Sequence, residues 1–214
     1  QRPTTVRLQK LSWGFTQSAV LFAAIEAGIF TAVSDHGRSV ETIAKAASIT
    51  DHNARRMIVA LLTLGLIERE GEGYRNAPDV ERFLVQGKPS YAGKWVHWFH
   101  HQWNAWGQLG ERLQAGAPEA TLGFYDEGFT VEHARRYHEA TASVGMGAAR
   151  KFLREVDLSG RRKLLDLGGG SGAYSIEAAK RYPELQAVVL DLPEVVVISR
   201  EFVAEHGVAD QVTA

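Results

Sequence analysis

The sequence predicts a mostly helical N-terminal domain closed by a β-ribbon, followed by an α/β domain whose parallel sheet is begun but not completed. Three observations predict this. Apolar residues recur at three- and four-residue spacing between Ser12 and Leu64, then give way to a ribbon pattern, Leu66 to Arg75. A short apolar strand beginning at Lys163 breaks at three consecutive glycines and runs into a helix-forming stretch through Lys180. A second apolar strand, Ala187 to Leu190, ends on Asp191. The corresponding segments are 1–92 for the helical domain, 93–160 for a helical linker and pocket-forming region, and 161–214 for the first part of the α/β domain.

Composition narrows the function classes. The 214 residues are 45% hydrophobic and 23% charged, as in an ordinary globular protein with one or two cores. The formal net charge of −1 supplies no field to hold a polyanion or an anionic membrane. Cysteine is absent, which excludes disulfides, thiol catalysis and thiolate metal sites and fits a reducing cytoplasm. No apolar run of about 18 residues and no charged-then-apolar leader occurs, so neither a membrane span nor a signal peptide is expected.

In chain order, Phe15, Ala19, Leu21, Phe22, Ile25, Ile29 and Phe30 predict one mostly buried helix over 12–33, with Gly28 near its end. Ser39-x-x-Thr42 opens a short helix through Ala47, and Asp51 caps a longer one with an apolar face ending at Gly65. The ribbon then turns on Gly71 to Gly73. Three helices and a ribbon make a winged-helix arrangement. Asn53, Arg55 and Arg56 would suit DNA, but Asp51 and the wing acids Glu68, Glu70 and Glu72 repel phosphate, so nucleic acid is not the expected partner.

Residues 76–93 read as a connection with a short helix around Val80 to Val85. Trp95, His97, Trp98, Phe99, His100, His101, Trp103 and Trp106 then crowd together. His97 and His101 form an i, i+4 pair, but no carboxylate or thiolate stands nearby in the sequence to complete a metal site, and no metal is expected. Some rings are read as core, and His97, His101 and Trp103 as walls of an aromatic substrate pocket. A loop over 116–128, with Pro118, Gly123 and Asp126, precedes a long helix marked by Val131, Ala134, Tyr137, Thr141, Val144, Ala148 and Phe152.

The glycine turn carries the chemistry. Glycines at 168, 170 and 172 permit a sharp bend and let a ligand lie against bare backbone, with the next helix aiming its N-terminus there. Gly168-x-Gly170-x-x-Ala173 also satisfies the dinucleotide fingerprint, so spacing alone leaves two cofactor classes open. Asp166, at the strand's carboxyl end, repels a pyrophosphate and suits the ammonium and sulfonium of S-adenosylmethionine. Asp191, 23 residues after Gly168, stands where an acid meets ribose hydroxyls. Pro193 then starts a helix through Glu205, and Gln211 to Ala214 begins a third strand.

Asp166-Leu-Gly-Gly-Gly-Ser-Gly172 followed by Asp191-Leu-Pro-Glu-Val195 resembles the S-adenosylmethionine-dependent O-methyltransferases of the caffeate and hydroxyindole type, over nearly the whole chain. The resemblance implies a winged-helix dimerisation domain plus a Rossmann-like methyltransferase domain, a homodimer, and methyl transfer to a hydroxyl of a small aromatic metabolite with S-adenosylhomocysteine as product. It places Asp166, Gly168, Gly170, Asp191, Leu192 and Tyr137 at the cofactor and Thr141 at the substrate. The family often has methionine where Thr141 stands, so a smaller or more polar neighbour is implied. Its base is a histidine in a later segment, followed by a tryptophan and an aspartate. None of the eight histidines here matches it, and the catalytic residue is left unassigned. A parallel sheet needs both faces covered, so roughly 110 to 140 further residues are expected to complete the domain. Three other readings stay open: a relative of the same fold that hydroxylates or decarboxylates, a ligand-sensing winged-helix regulator, and a dinucleotide-dependent oxidoreductase.

Overall fold

The structure is a computed structural model that describes residues 2–34, 38–114, 116 and 128–214. The predicted loop residues Pro118, Gly123 and Asp126 lie outside the described residues. The chain divides into two compact units, residues 1–100 and 101–214.

The first unit is a helical domain with a wing. Its elements are α1 (Val6–Trp13), α2 (Phe15–Glu26), α3 (Ile29–Val33), α4 (Val40–Ala46), α5 (Asp51–Thr63), β1 (Ile67–Glu70), β2 (Gly73–Asn76), α6 (Pro78–Phe83) and α7 (Gly93–Trp98). The single helix expected over 12–33 is broken. Gly28 takes a left-handed conformation, φ 66°, which ends α2 and lets α3 leave in a new direction. Phe15, assigned to the buried stripe, is 60% exposed, whereas Phe22, Ile25, Ile29 and Phe30 do enter the core with Ile43, Ile58, Leu61 and Ile67. Ser39 caps α4 by accepting from Thr42 N–H. Thr50, not Asp51, caps α5, accepting from Asn53 N–H at 3.2 Å, and Asp51 is the first helical residue, where its charge suits the helix dipole. β1 and β2 pair antiparallel, Ile67 opposite Asn76 through Glu70 opposite Gly73. Buried Asn76 donates to Phe30 O and to Glu81, fastening the wing to α3 and α6.

The second unit begins with the short helices α8 (Trp103–Gly107) and α9 (Leu109–Arg112). The long α10 (Val131–Glu155), capped by Thr130, leads to β3 (Lys163–Leu167), α11 (Ala173–Arg181), β4 (Gln186–Leu190), α12 (Pro193–Glu205) and β5 (Val212–Thr213). The strands form a parallel sheet in the order β3-β4-β5. Met146 of α10 joins Ala173, Ile176 and Ala179 of α11, Val203 of α12 and the strand residues Ala187, Val189 and Val212 in one core. The α10 stripe is rotated by about one residue from the predicted one. Ala134, which the predicted stripe includes, is buried, as are His138, Met146, Ala149 and Leu153, while Val144 and Phe152 are 39% and 40% exposed. One face of the sheet is covered by these helices. Along the other, Leu165, Leu167, Val188 and Leu190 alternate outward and are exposed, Leu167 to 76%.

Candidate functional site

The site is built where β3 and β4 end side by side. Leu167 pairs with Leu190, and the ladder continues one bond further as Gly168 N–H donates to Leu190 O at 2.8 Å. The chain then turns through Gly168, Gly170 and Gly172, all left-handed at φ 67°, 57° and 77°. A β-carbon on Gly168 would meet nothing within 4 Å, so that corner of the turn is open. A β-carbon on Gly170 would lie 2.8 Å from Cε1 of His138, and one on Gly169 2.7 Å from Cγ of Asp166. Glycine is therefore required at 169 and 170 by close approach of this chain's own side chains.

Polar groups hold the turn on three sides. Asp191 Oδ2 accepts the Gly170 N–H at 2.8 Å, and its Oδ1 accepts Leu192 N–H at 2.8 Å. Fully buried Ser199 of α12 donates its hydroxyl to Gly170 O at 2.5 Å. Asp166 Oδ2 accepts both the N–H and the hydroxyl of Ser175, at 3.3 and 2.9 Å, in the first turn of α11. Asp166 thus supplies the anion that a helix N-terminus attracts, and it comes from the protein itself. A phosphate arriving there would face a carboxylate already in place. A carboxylate has about four acceptor directions, so Asp166 and Asp191 each keep capacity beyond these bonds.

Tyr137 and Thr141 lie on α10, partly buried, and the Thr141 hydroxyl donates back to Tyr137 O at 3.0 Å, within its own helix. Leu192 is half-exposed at the start of α12. Between Tyr137 and Thr141 stands His138, the functional neighbour that sequence reasoning missed. It is 7% exposed, packs its ring edge-on to Tyr137 with centroids 5.1 Å apart, and backs onto Gly170. Burial pushes its pKa below the ordinary 6.5, opposed in part by the negative charge of Asp191, so a neutral imidazole lies against the turn near neutral pH. Asp166, Gly168, Gly170, Asp191 and Leu192 thus surround one turn, Tyr137 is linked to it through His138, and Thr141 lies one helical turn further along α10.

The other predicted substrate residues, His97, His101 and Trp103, are divided between the two units. His97 belongs to the first unit, where its Nε2 lies 2.6 Å from Oε1 of Glu26, while His101 and Trp103 belong to the second. Among the rings from Trp95 to Trp106, Trp95, His97, Trp98 and Trp103 are partly buried and none is fully buried, and Trp106 is 67% exposed. The expectation that no carboxylate accompanies the histidines is corrected. Glu26 of α2, 71 positions before His97, reaches His97 and His100. In the wing, Arg75 is paired with Glu68 and Glu70, which takes a cation away from any phosphate-binding role. No helix among the described residues is long and apolar enough to cross a membrane.

Comparison with known proteins bears on this geometry. Residues 9–86 match the O-methyltransferase dimerisation domain and residues 106–214 the O-methyltransferase domain. The chain is 30% identical over 208 residues to the 3-hydroxy-5-methyl-1-naphthoate 3-O-methyltransferase of Streptomyces sahachiroi, covering 96% of this chain and 60% of that protein. It is 29% identical over 215 residues to the N,N-dimethyltransferase OxyT of Streptomyces rimosus, covering 96% and 62%. The fold superposes on human N-acetylserotonin methyltransferase, solved in complex with SAM, with a TM-score of 0.77 at 24% identity, covering all of this chain and 66% of that one. The chain spans about 60% of the length of these two curated relatives. With an open glycine turn clamped by strand-end acids and a domain match over half its residues, this chain belongs to the O-methyltransferase domain family.

Proposed function

We propose that this chain binds S-adenosylmethionine on the Gly168–Gly172 turn and serves methyl transfer to a hydroxyl of a small aromatic metabolite. The observation that carries the reading is the bond from Gly170 N–H to Asp191, which fixes the bare-backbone turn against the acid that would receive the ribose hydroxyls. The residues fit the cofactor. Gly168 leaves its corner open, Asp191 keeps acceptor capacity, and Leu192 offers a half-exposed apolar surface beside it for a base ring. Asp166 and Asp191 give the turn a negative character that suits a sulfonium and an ammonium rather than phosphates. When bound, the cofactor supplies a methyl on a positively charged sulfur, so the protein's work is to orient the acceptor, take its proton and exclude water. Tyr137 and Thr141 are assigned to the wall between cofactor and acceptor.

The names of the relatives support an aromatic acceptor, and the similarity to an N,N-dimethyltransferase favours, as a second reading, transfer to an amine nitrogen. We also assign a homodimer formed through the N-terminal unit. α1 has no buried residue, and Val6, Leu8, Leu11 and Trp13 are all more than half exposed along it, an apolar surface of the kind a second copy would cover.

Calorimetric titration separates the cofactor classes. S-adenosylhomocysteine is expected to bind and NAD not to. Asp191→Ala should weaken S-adenosylhomocysteine by about 1 to 3 kcal/mol, roughly five- to 150-fold, through loss of charge-assisted bonds. Unchanged affinity in that variant, or binding of NAD instead, would overturn the assignment.

A further inference from the structure

Within the first unit, the end of α2 and the segment around α7 bring together three side chains that can ligate a metal. Glu26 is the last residue of α2, His97 lies in α7, and His100 lies in the 3-10 turn Phe99–Gln102 that follows. One ligand atom from each lies within 4.8 Å of the other two. Glu26 Oε1 is 2.6 Å from Nε2 of His97 and 3.5 Å from Nδ1 of His100. We propose that Glu26, His97 and His100 form a binding site for a divalent transition metal of the Zn²⁺ class.

Two imidazole nitrogens and one carboxylate oxygen are a donor set that suits Zn²⁺ and its neighbours better than Mg²⁺ or Ca²⁺, which take oxygen. Bonds of about 2.0 to 2.1 Å in a tetrahedron set the ligand atoms about 3.3 Å apart. The Glu26–His100 separation already matches that edge. The Glu26–His97 pair opens by well under 1 Å once a metal replaces the shared proton, and Glu26, with about half its side chain exposed, has room to move.

Two further features favour a cation here. A carboxylate at the last position of a helix sits at the negative end of the dipole, and α2 has no basic residue in its final turn to offset it. The rings are also held in orientation. Phe22, one turn earlier on α2, meets His97 edge-on at 5.7 Å and His100 at 5.4 Å, and the two imidazoles lie 5.1 Å apart. With three protein ligands on a partly exposed site, the fourth position is left to water. A metal bound here would clip α2 to α7 and so stabilise the first unit.

The test uses the intact chain stripped of metal. Titration with Zn²⁺ should give one ion bound per chain and a rise in unfolding temperature, and Co²⁺ should give a visible absorption band that Zn²⁺ abolishes. Glu26→Gln keeps the shape and the hydrogen bond to His97 but should weaken Zn²⁺ at least tenfold, and His100→Asn should do the same. His52→Gln, on the exposed side of α5, should leave binding unchanged. Absence of saturable binding in the parent protein overturns the proposal. So does binding that survives Glu26→Gln and His100→Asn, because the ion would then lie elsewhere and Glu26 and His97 would be a hydrogen-bonded pair only.

Discussion

Of two glycine turns that carry acidic residues, the one in the wing and the one after β3, only the second is built as a site. In the wing, Gly71 is left-handed at φ 59° with open space around it, and the acids reach outward. Glu68 and Glu70 pair with the exposed guanidinium of Arg75 at 2.6 and 3.6 Å. In the turn after β3 the acids reach inward. Asp166 and Asp191 accept backbone N–H groups, Ser199 takes the Gly170 carbonyl, and His138 and Asp166 stand where β-carbons on Gly170 and Gly169 would go. Composition makes these turns look alike. What separates them is whether carboxylates meet the main chain, because a charge-assisted bond to a partly buried amide fixes geometry, whereas an exposed ion pair fixes little.

The largest effect expected from this contrast comes from alanine at the two glycines. Gly71→Ala meets only the cost of a left-handed conformation, about 1 kcal/mol. Gly170→Ala adds a collision with a buried imidazole that cannot easily move, for a total of about 2 to 4 kcal/mol, and should also abolish S-adenosylhomocysteine binding. Chemical denaturation of both variants with calorimetry on the second checks the pair. Equal destabilisation would mean that the inward packing contributes nothing.

Next in size is the bond from Asp166 to α11. Asp166→Ala removes both bonds to Ser175 and the anion at the helix N-terminus, and is expected to destabilise by about 2 kcal/mol. Hydrogen exchange provides a local reading. The amide of Ser175 should lose protection in Asp166→Ala while amides in β1 and β2 keep theirs.

Much of this contrast was legible in the sequence, and the reasons are local. The β3–turn–α11–β4 unit has its own punctuation at every joint: an apolar strand, three glycines, then an acid and Pro193 at the start of α12. What was missed depends on contacts that spacing does not encode. The apolar spacing places the α10 stripe on Tyr137, Val144 and Phe152, yet the buried face consists of alanines, one methionine, one leucine and His138, most of which an apolar pattern does not weight. A helix that packs small residues against a glycine turn would have been the signal. Sequence favours Asp51 over Thr50 as cap because aspartate is the stronger capping type, and only backbone geometry separates them. Glu26 could not be linked to His97 and His100 at all, since tertiary packing alone joins positions so far apart.

His138 offers a pH-dependent test of the inward-facing turn. Burial holds its pKa below 6.5, so the unfolded chain binds more protons than the folded one as pH falls from that value. Its contribution is therefore fully present above pH 6.5 and lost on acidification through the lowered folded value. For one proton the slope cannot exceed about 1.4 kcal/mol per pH unit. His138→Gln should flatten that part of the stability profile. It should also change the pH dependence of S-adenosylhomocysteine affinity, because a charged ring at 138 would act on Asp191 beside the turn. A profile identical in parent and variant would remove His138 from the clamp.

The smallest effect belongs to the wing. Glu68 and Arg75 are each more than 40% exposed, so their pair at 2.6 Å is screened by water and salt, and Glu68→Gln should cost under about 0.5 kcal/mol. Adding 0.5 M sodium chloride, on the order of a 4 Å screening length, should shrink even that difference. Denaturation of Glu68→Gln beside Asp166→Ala then compares two acids, each close to a glycine turn and each making short bonds. If the wing acid proves as costly to remove as Asp166, then the number and length of bonds to a carboxylate matter more than whether its partner is backbone. In that case the clamp at Gly170 would lose its standing as the feature that makes one turn a site.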